Sequence, residues 1–162
     1  MKTKKVMKKS ILKLLLILPL FGFSQIPAYQ INSYHTEGTK APNTHYIGEA
    51  WLNSLLRADD NLHYNVTKAT FKANSTLDWH KHTSPQVLIV VEGEGYYQER
   101  DKDAVVIQVG DVIKCNQDTE HWHSSSKTKN VTYLALYSGE TIWTEVLSQE
   151  AYDAVAEKLK GN

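Results

Sequence analysis

From Tyr64 onward the side chains alternate with a period of two, and this alternation restricts the fold more than any other feature of the chain. Val66, Lys68, Thr70 and Lys72 share one parity; Thr67, Ala69, Phe71 and Ala73 share the other. Successive residues of a strand point to opposite faces, so the lysine face meets water while Thr67, Ala69 and Phe71 point inward. Further strands are predicted over 79–82, 86–92, 96–100, 104–108, 111–115, 121–125 and 131–137. Turn residues separate them: Asn74-Ser75, Gly110-Asp111 and the stretch 116–120, with Gly93-Glu94-Gly95 read as a hairpin. Short strands at this spacing make a sandwich or a barrel. The reading is therefore all-β, a sandwich or barrel spanning 64–147.

The flanks differ. Residues 1–25 read as a secretory signal, with Lys2, Lys4, Lys5, Lys8, Lys9 and Lys13 ahead of and within an apolar run from Ile11 to Phe23. That run falls short of the roughly 20 residues a spanning helix needs. The expected product is exported, periplasmic or secreted, with no membrane attachment after cleavage. Residues 26–63 form an arm and edge segment. Within it Ile47, Trp51, Leu52, Leu55 and Leu56 suit a short helix or an irregular edge equally well. A helix is predicted over 148–162, capped by Ser148, with Ala151, Tyr152, Val155 and Leu159 as its apolar stripe and Gly161 as its stop.

Charge narrows the partners. The chain has 18 basic and 18 acidic residues, and removal of the six signal lysines leaves 12 against 18. A net charge of −6 suits neither nucleic acid nor an anionic membrane surface, and a small-molecule substrate is the expected partner. Cys115 is the single cysteine, so no disulfide forms within the chain, and a buried apolar role is expected for it.

Four of the seven histidines fall in two pairs, His80-Lys81-His82 and His121-Trp122-His123. On a strand each pair presents two imidazoles on one face, with Trp79 and Trp122 on the other. Gln86 follows His82 by four residues, across a bend at Pro85. Side chains converging from separate strands of a small barrel are what a metal centre requires.

The spacing resembles the two motifs of the cupin superfamily. The first runs Asn74, five residues, His80-x-His82, three residues, Gln86, six residues, Gly93; the second runs Gly110, five residues, Asn116-x-Asp118, two residues, His121, three residues, Ser125. The resemblance implies a cupin-type barrel (a double-stranded β-helix) with His80, His82, Gln86 and His121 as ligands of one divalent ion. Manganese is the foremost expectation, with iron, zinc, nickel, cobalt and copper as alternatives. Gln86 stands where the family has Glu; a neutral amide leaves the ion its full positive charge and removes a carboxylate base.

The ligand set, together with Gly93-Glu94-Gly95-Tyr96-Tyr97, Gly110-Asp111-Val112, His121-Trp122-His123 and the segment from Trp143 to Tyr152, is similar to small cupins of the (R)-mandelonitrile lyase type and their carboxymuconolactone decarboxylase-like relatives. This likeness implies a lyase acting on a small hydroxy or carbonyl compound by Lewis-acid catalysis, and a homodimer or higher homo-oligomer. In that family a base takes the hydroxyl proton, at the position of Tyr133 here. His123, on the face of His121, is the other candidate, as a base or as a support for the ligands. Thr67, Ala69 and Tyr137 are candidate pocket residues or plain core. Two other readings stand beside the lyase: a cupin oxygenase using iron or copper, and a secreted cupin that binds a small ligand without turnover.

Overall fold

The computed structural model describes residues 29–160. The segment 1–25, read above as a signal, and Gly161 lie outside the described residues. Among those described, no helix is long and apolar enough to cross a membrane.

Twelve strands and one helix follow in order: β1 (Thr39–Lys40), β2 (Tyr46–Ile47), β3 (Ala50–Leu56), β4 (Asn65–Phe71), β5 (Thr76–Leu77), β6 (Trp79–His82), β7 (Gln86–Glu99), β8 (Val105–Gln108), β9 (Val112–Cys115), β10 (His121–Ser125), β11 (Val131–Tyr137), β12 (Thr141–Glu145) and α1 (Gln149–Lys160). All pairings are antiparallel. The hydrogen-bonded path runs β1-β3-β4-β11-β7-β10-β5-β2, with β9 and β8 on β7, and β6 between β10 and β12. The sheet curls into a small barrel, one of the two forms the period-two pattern predicts. The expected parity holds along β4: Ala69 and Phe71 are buried, while Lys68 and Thr70 are half-exposed.

The expected hairpin at Gly93-Glu94-Gly95 is absent. β7 instead runs unbroken for 14 residues. Its first half pairs with β11 and β9, and its second half with β8 and β10. The two glycines allow this crossing by close approach. A Cβ on Gly93, whose φ is +75°, would meet the Asn130 carbonyl oxygen at 1.8 Å; one on Gly95 would lie 2.1 Å from the Ser124 carbonyl oxygen. Asn74 and Asp118, which stand in for motif glycines, adopt φ of 59° and 60°. Asn and Asp tolerate that left-handed backbone better than other L-residues, so the turns keep their geometry.

Two segments depart from expectation. The stretch with ambiguous apolar spacing forms a strand, β3, paired with β4 along nearly its whole length. A strand over Thr141–Glu145, β12, was not predicted; it pairs with β6, placing Trp143 opposite His80. α1 starts after Ser148, whose Oγ accepts from the Ala151 amide at 3.2 Å. Its buried face is Tyr152 and Ala156 with Val155 and Leu159 beside them, and Ala151 is exposed. Tyr152 also donates to the Ser125 carbonyl at 2.9 Å, tying the helix to β10.

Candidate metal centre

Strand pairing assembles the site. His80 and His82 lie on β6, Gln86 opens β7, and His121 and His123 lie on β10. β6 and β10 pair in the register His121↔His80, bringing those two rings to 4.2 Å between centroids. His82 is 5.1 Å from His80 and 5.5 Å from His121 by the same measure. The ligand-capable nitrogens of His80, His82 and His121 all lie within 4.8 Å of one another, and all three residues are buried. Trp79 and Trp122, of opposite parity, pack edge to face at 6.3 Å on the other side of their strands.

The hydrogen bonds orient the imidazoles. His80 Nδ1 donates to the Asp78 carbonyl at 2.9 Å, and His121 Nδ1 donates to the Thr119 carbonyl at 3.0 Å. His82 Nδ1 is 3.2 Å from Thr141 Oγ1, while its Nε2 is buried with no partner. Anchoring Nδ1 in this way fixes the tautomer and leaves Nε2 as the donor to a metal. His121 Nε2, then a lone-pair site, lies 3.2 Å from Gln86 Oε1, which is also a lone-pair site. Two acceptors facing each other at this distance repel, and a cation against both relieves this, as does an amide turned to present its NH2 to the imidazole. Three neutral imidazoles and an amide oxygen are a donor set that suits a divalent first-row ion.

Burial keeps these rings uncharged. Desolvation pushes His82 down to about 4, and holds His80 well below the ordinary histidine value with help from His121 and His123. His121 is lowered for the same reason. His123, fully buried and also held well below the ordinary value by desolvation, keeps Nδ1 without a partner.

A cavity of about 110 Å³ opens beside the rings. Thr67, Ala69 and Tyr137, named from sequence as pocket candidates, line it, as do His80, His82, Gln86 and His123. Tyr133 is not brought there. Its hydroxyl donates to the Ser124 carbonyl beside Gly95, its ring is fully buried, and burial pushes its pKa well above the ordinary value. As the group to receive a substrate proton it is misplaced, because the crossing of β7 at Gly95 draws its hydroxyl to the barrel backbone.

The cavity also contains Tyr46, Thr141 and Trp143, which the sequence analysis did not single out. The β-branched and aromatic run Thr141-Ile142-Trp143-Thr144 was the available signal for a strand there. Cys115 is buried and accepts from Tyr97 Oη at 3.1 Å. It takes the apolar role expected of it.

Comparison with known proteins agrees with this architecture. Residues 67–137 match the family described as Cupin domain. A cupin-like protein from Thermotoga maritima is 26% identical, with a TM-score of 0.72 over 78% of this chain and 98% of its own. A predicted oxalate decarboxylase from the same organism is 19% identical, with a TM-score of 0.60 over 72% of this chain and 100% of its own. An RmlC-like cupin family protein with a double-stranded β-helix fold, from Methanocaldococcus jannaschii, is 10% identical, with a TM-score of 0.55 over 70% and 93% of the two chains. The last two likenesses are of fold alone. No curated protein matches the chain significantly. The chain thus carries a cupin-type β-barrel in which His80, His82 and His121 are grouped closely enough to hold a metal ion.

Proposed function

We propose that this cupin-fold chain is a metal-dependent lyase acting on a small hydroxy or carbonyl compound, with cyanohydrin cleavage of the (R)-mandelonitrile lyase type as its nearest named activity. The observation that carries the reading is the facing pair His121 Nε2 and Gln86 Oε1 in a histidine cluster that opens onto a half-open cavity. His80, His82, Gln86 and His121 would hold the ion, manganese foremost. Such an ion, when bound, supplies Lewis acidity toward a substrate oxygen.

The chain's own residues supply the rest. His123 lines the cavity with its ring 5.7 Å from that of His80, and burial keeps it neutral. A neutral imidazole keeps one lone-pair nitrogen, and through it His123 can accept a proton. In cyanohydrin cleavage His123 takes the hydroxyl proton, the O–H electrons form the carbonyl, and the bond to the nitrile carbon breaks to release cyanide. The proton on His123 then returns to cyanide. The apolar cavity wall excludes water from these steps. Export and pairing of two copies belong to the same proposal. The absence of a carboxylate among the four ligands favours the lyase over an oxygenase that needs such a base.

The test is release of benzaldehyde and cyanide from mandelonitrile by manganese-loaded protein, above the rate in buffer. Metal-dependent release that is lost in His123→Gln supports the proposal. No release with manganese, iron(II) or zinc overturns it.

A further inference from the structure

The dimensions and charge of the cavity bear on what it admits, an inference that rests on the metal-dependent reading above. A cavity of roughly 150 Å³ lined by apolar side chains takes up benzene. At about 110 Å³, this one is filled by a body of a single ring or smaller. Leu52, Phe71, Leu77 and Ala135 give it apolar wall, and none of its fourteen lining residues is Asp, Glu, Lys or Arg. A second carboxylate on a substrate would lose its hydration there and find no partner. Arg57 lies outside, in an outer depression that shares Leu52, Thr67 and Tyr137 with the cavity.

Trp143 closes this space and is unusually well held. His45 stacks on it at 4.2 Å and 12°, Tyr46 meets it edge-on at 6.1 Å, and the His80 ring lies 5.2 Å away. The indole also borders an outer groove with His45, Asp78 and Glu145, so it stands between that groove and the cavity. His45 is fixed in turn by Asp78, whose Oδ2 is 3.2 Å from its Nδ1. Asp78 is buried, its Oδ1 accepts from the Leu147 amide at 3.0 Å, and its carbonyl anchors His80. One buried residue, Asp78, therefore aligns the metal-side imidazole through its backbone carbonyl and the brace behind the indole through its carboxylate.

We propose that Trp143, braced by His45, is the specificity-determining wall of the site. It limits the substrate to a molecule of single-ring size that presents one oxygen-bearing group to the metal and carries no second charged group.

The test is calorimetric titration of benzyl alcohol, 2-naphthylmethanol and oxalate into wild type, Trp143→Ala, Trp143→Phe and His45→Ala, with metal content measured on each protein. Wild type should prefer benzyl alcohol by about tenfold or more, within the range a shaped apolar pocket supplies. Trp143→Ala should abolish the preference over the naphthyl ligand at unchanged metal content, Trp143→Phe should retain most of it, and His45→Ala should weaken it. Oxalate binding as tightly as benzyl alcohol, no binding of benzyl alcohol, or an unchanged ring preference in Trp143→Ala would overturn the proposal. Should Trp143→Ala not fold, His45→Ala with Trp143→Phe carries the comparison. Wild type without metal that still prefers the single ring would count against the metal-dependent reading and leave the wall in place.

Discussion

His123 and Tyr133 sit on facing strands with their rings 5.0 Å apart, yet their environments assign them different work. His123 borders the cavity with a free nitrogen; Tyr133 spends its hydroxyl on the Ser124 carbonyl. Tyr133→Phe should therefore cost about 1 kcal/mol in unfolding free energy, the net worth of a buried hydrogen bond, and leave turnover intact. His123→Gln should reverse the pattern, losing turnover while keeping its metal. Denaturant melts and rate assays on the two variants separate these outcomes.

Cys115 is predictable at the same scale. Burial pushes its thiol up to about 11, so at pH 8 only about one molecule in a thousand carries the reactive thiolate. Iodoacetamide at pH 8 should label it on unfolding and not in the native protein; rapid native labelling would show the thiol to be accessible. The ligand histidines were legible because a His-x-His pair on a strand has one geometric meaning. The position of Tyr133 was not, since strand parity fixes which face a side chain takes but not where its far end reaches.

Among the elements, β7 holds the barrel together because it belongs to both halves of the sheet. The glycines at its crossing are set by contact as much as by backbone freedom. Gly95→Ala would push a methyl against the Ser124 carbonyl and the Tyr133 hydroxyl, which a Cβ would meet at 2.1 and 2.3 Å. Overpacking of this kind typically costs about 1–3 kcal/mol, and backbone on one side of the contact places Gly95→Ala at the upper end. A lower denaturation midpoint with an unchanged slope is the expected result; an unchanged midpoint would show that the crossing yields. Local sequence suggested a hairpin here because Gly-x-Gly between two strands is ordinary turn chemistry. Only the partners on both sides, β11 and β10, distinguish a bend from a reversal. β3 and β12 were harder to read: β12 is an edge strand that pairs with β6, and the mostly half-buried side chains of β3 blur the period-two signal that marked β4.

At the scale of the whole molecule, pairing with β10 and β12 fixes the position of β6, and β6 carries two of the four residues proposed to hold the metal. Arg100, at the end of β7, reinforces this: it bonds Glu120 and Glu145, each at 2.8 Å, and lies 3.9 Å from the Trp79 ring. A ligand that binds only the folded barrel stabilises it by mass action, by about 2.7 kcal/mol at a hundredfold excess over its dissociation constant. Chelation should therefore lower the melting temperature of wild type and leave that of His80→Ala, His121→Ala unaltered. The all-β class was readable from strand spacing alone, because only a closed or doubled sheet buries so many short strands; the choice of a barrel over a sandwich came from the spacing of the histidine motifs.

Elemental analysis of protein purified without chelator, beside the His80→Ala, His121→Ala double variant, tests the central claim most directly. The account predicts about one divalent transition-metal ion per wild-type chain, manganese foremost, and none in the variant. A folded wild type that takes up no metal even after reloading would contradict it, and would leave the facing acceptors of His121 and Gln86 without their cation.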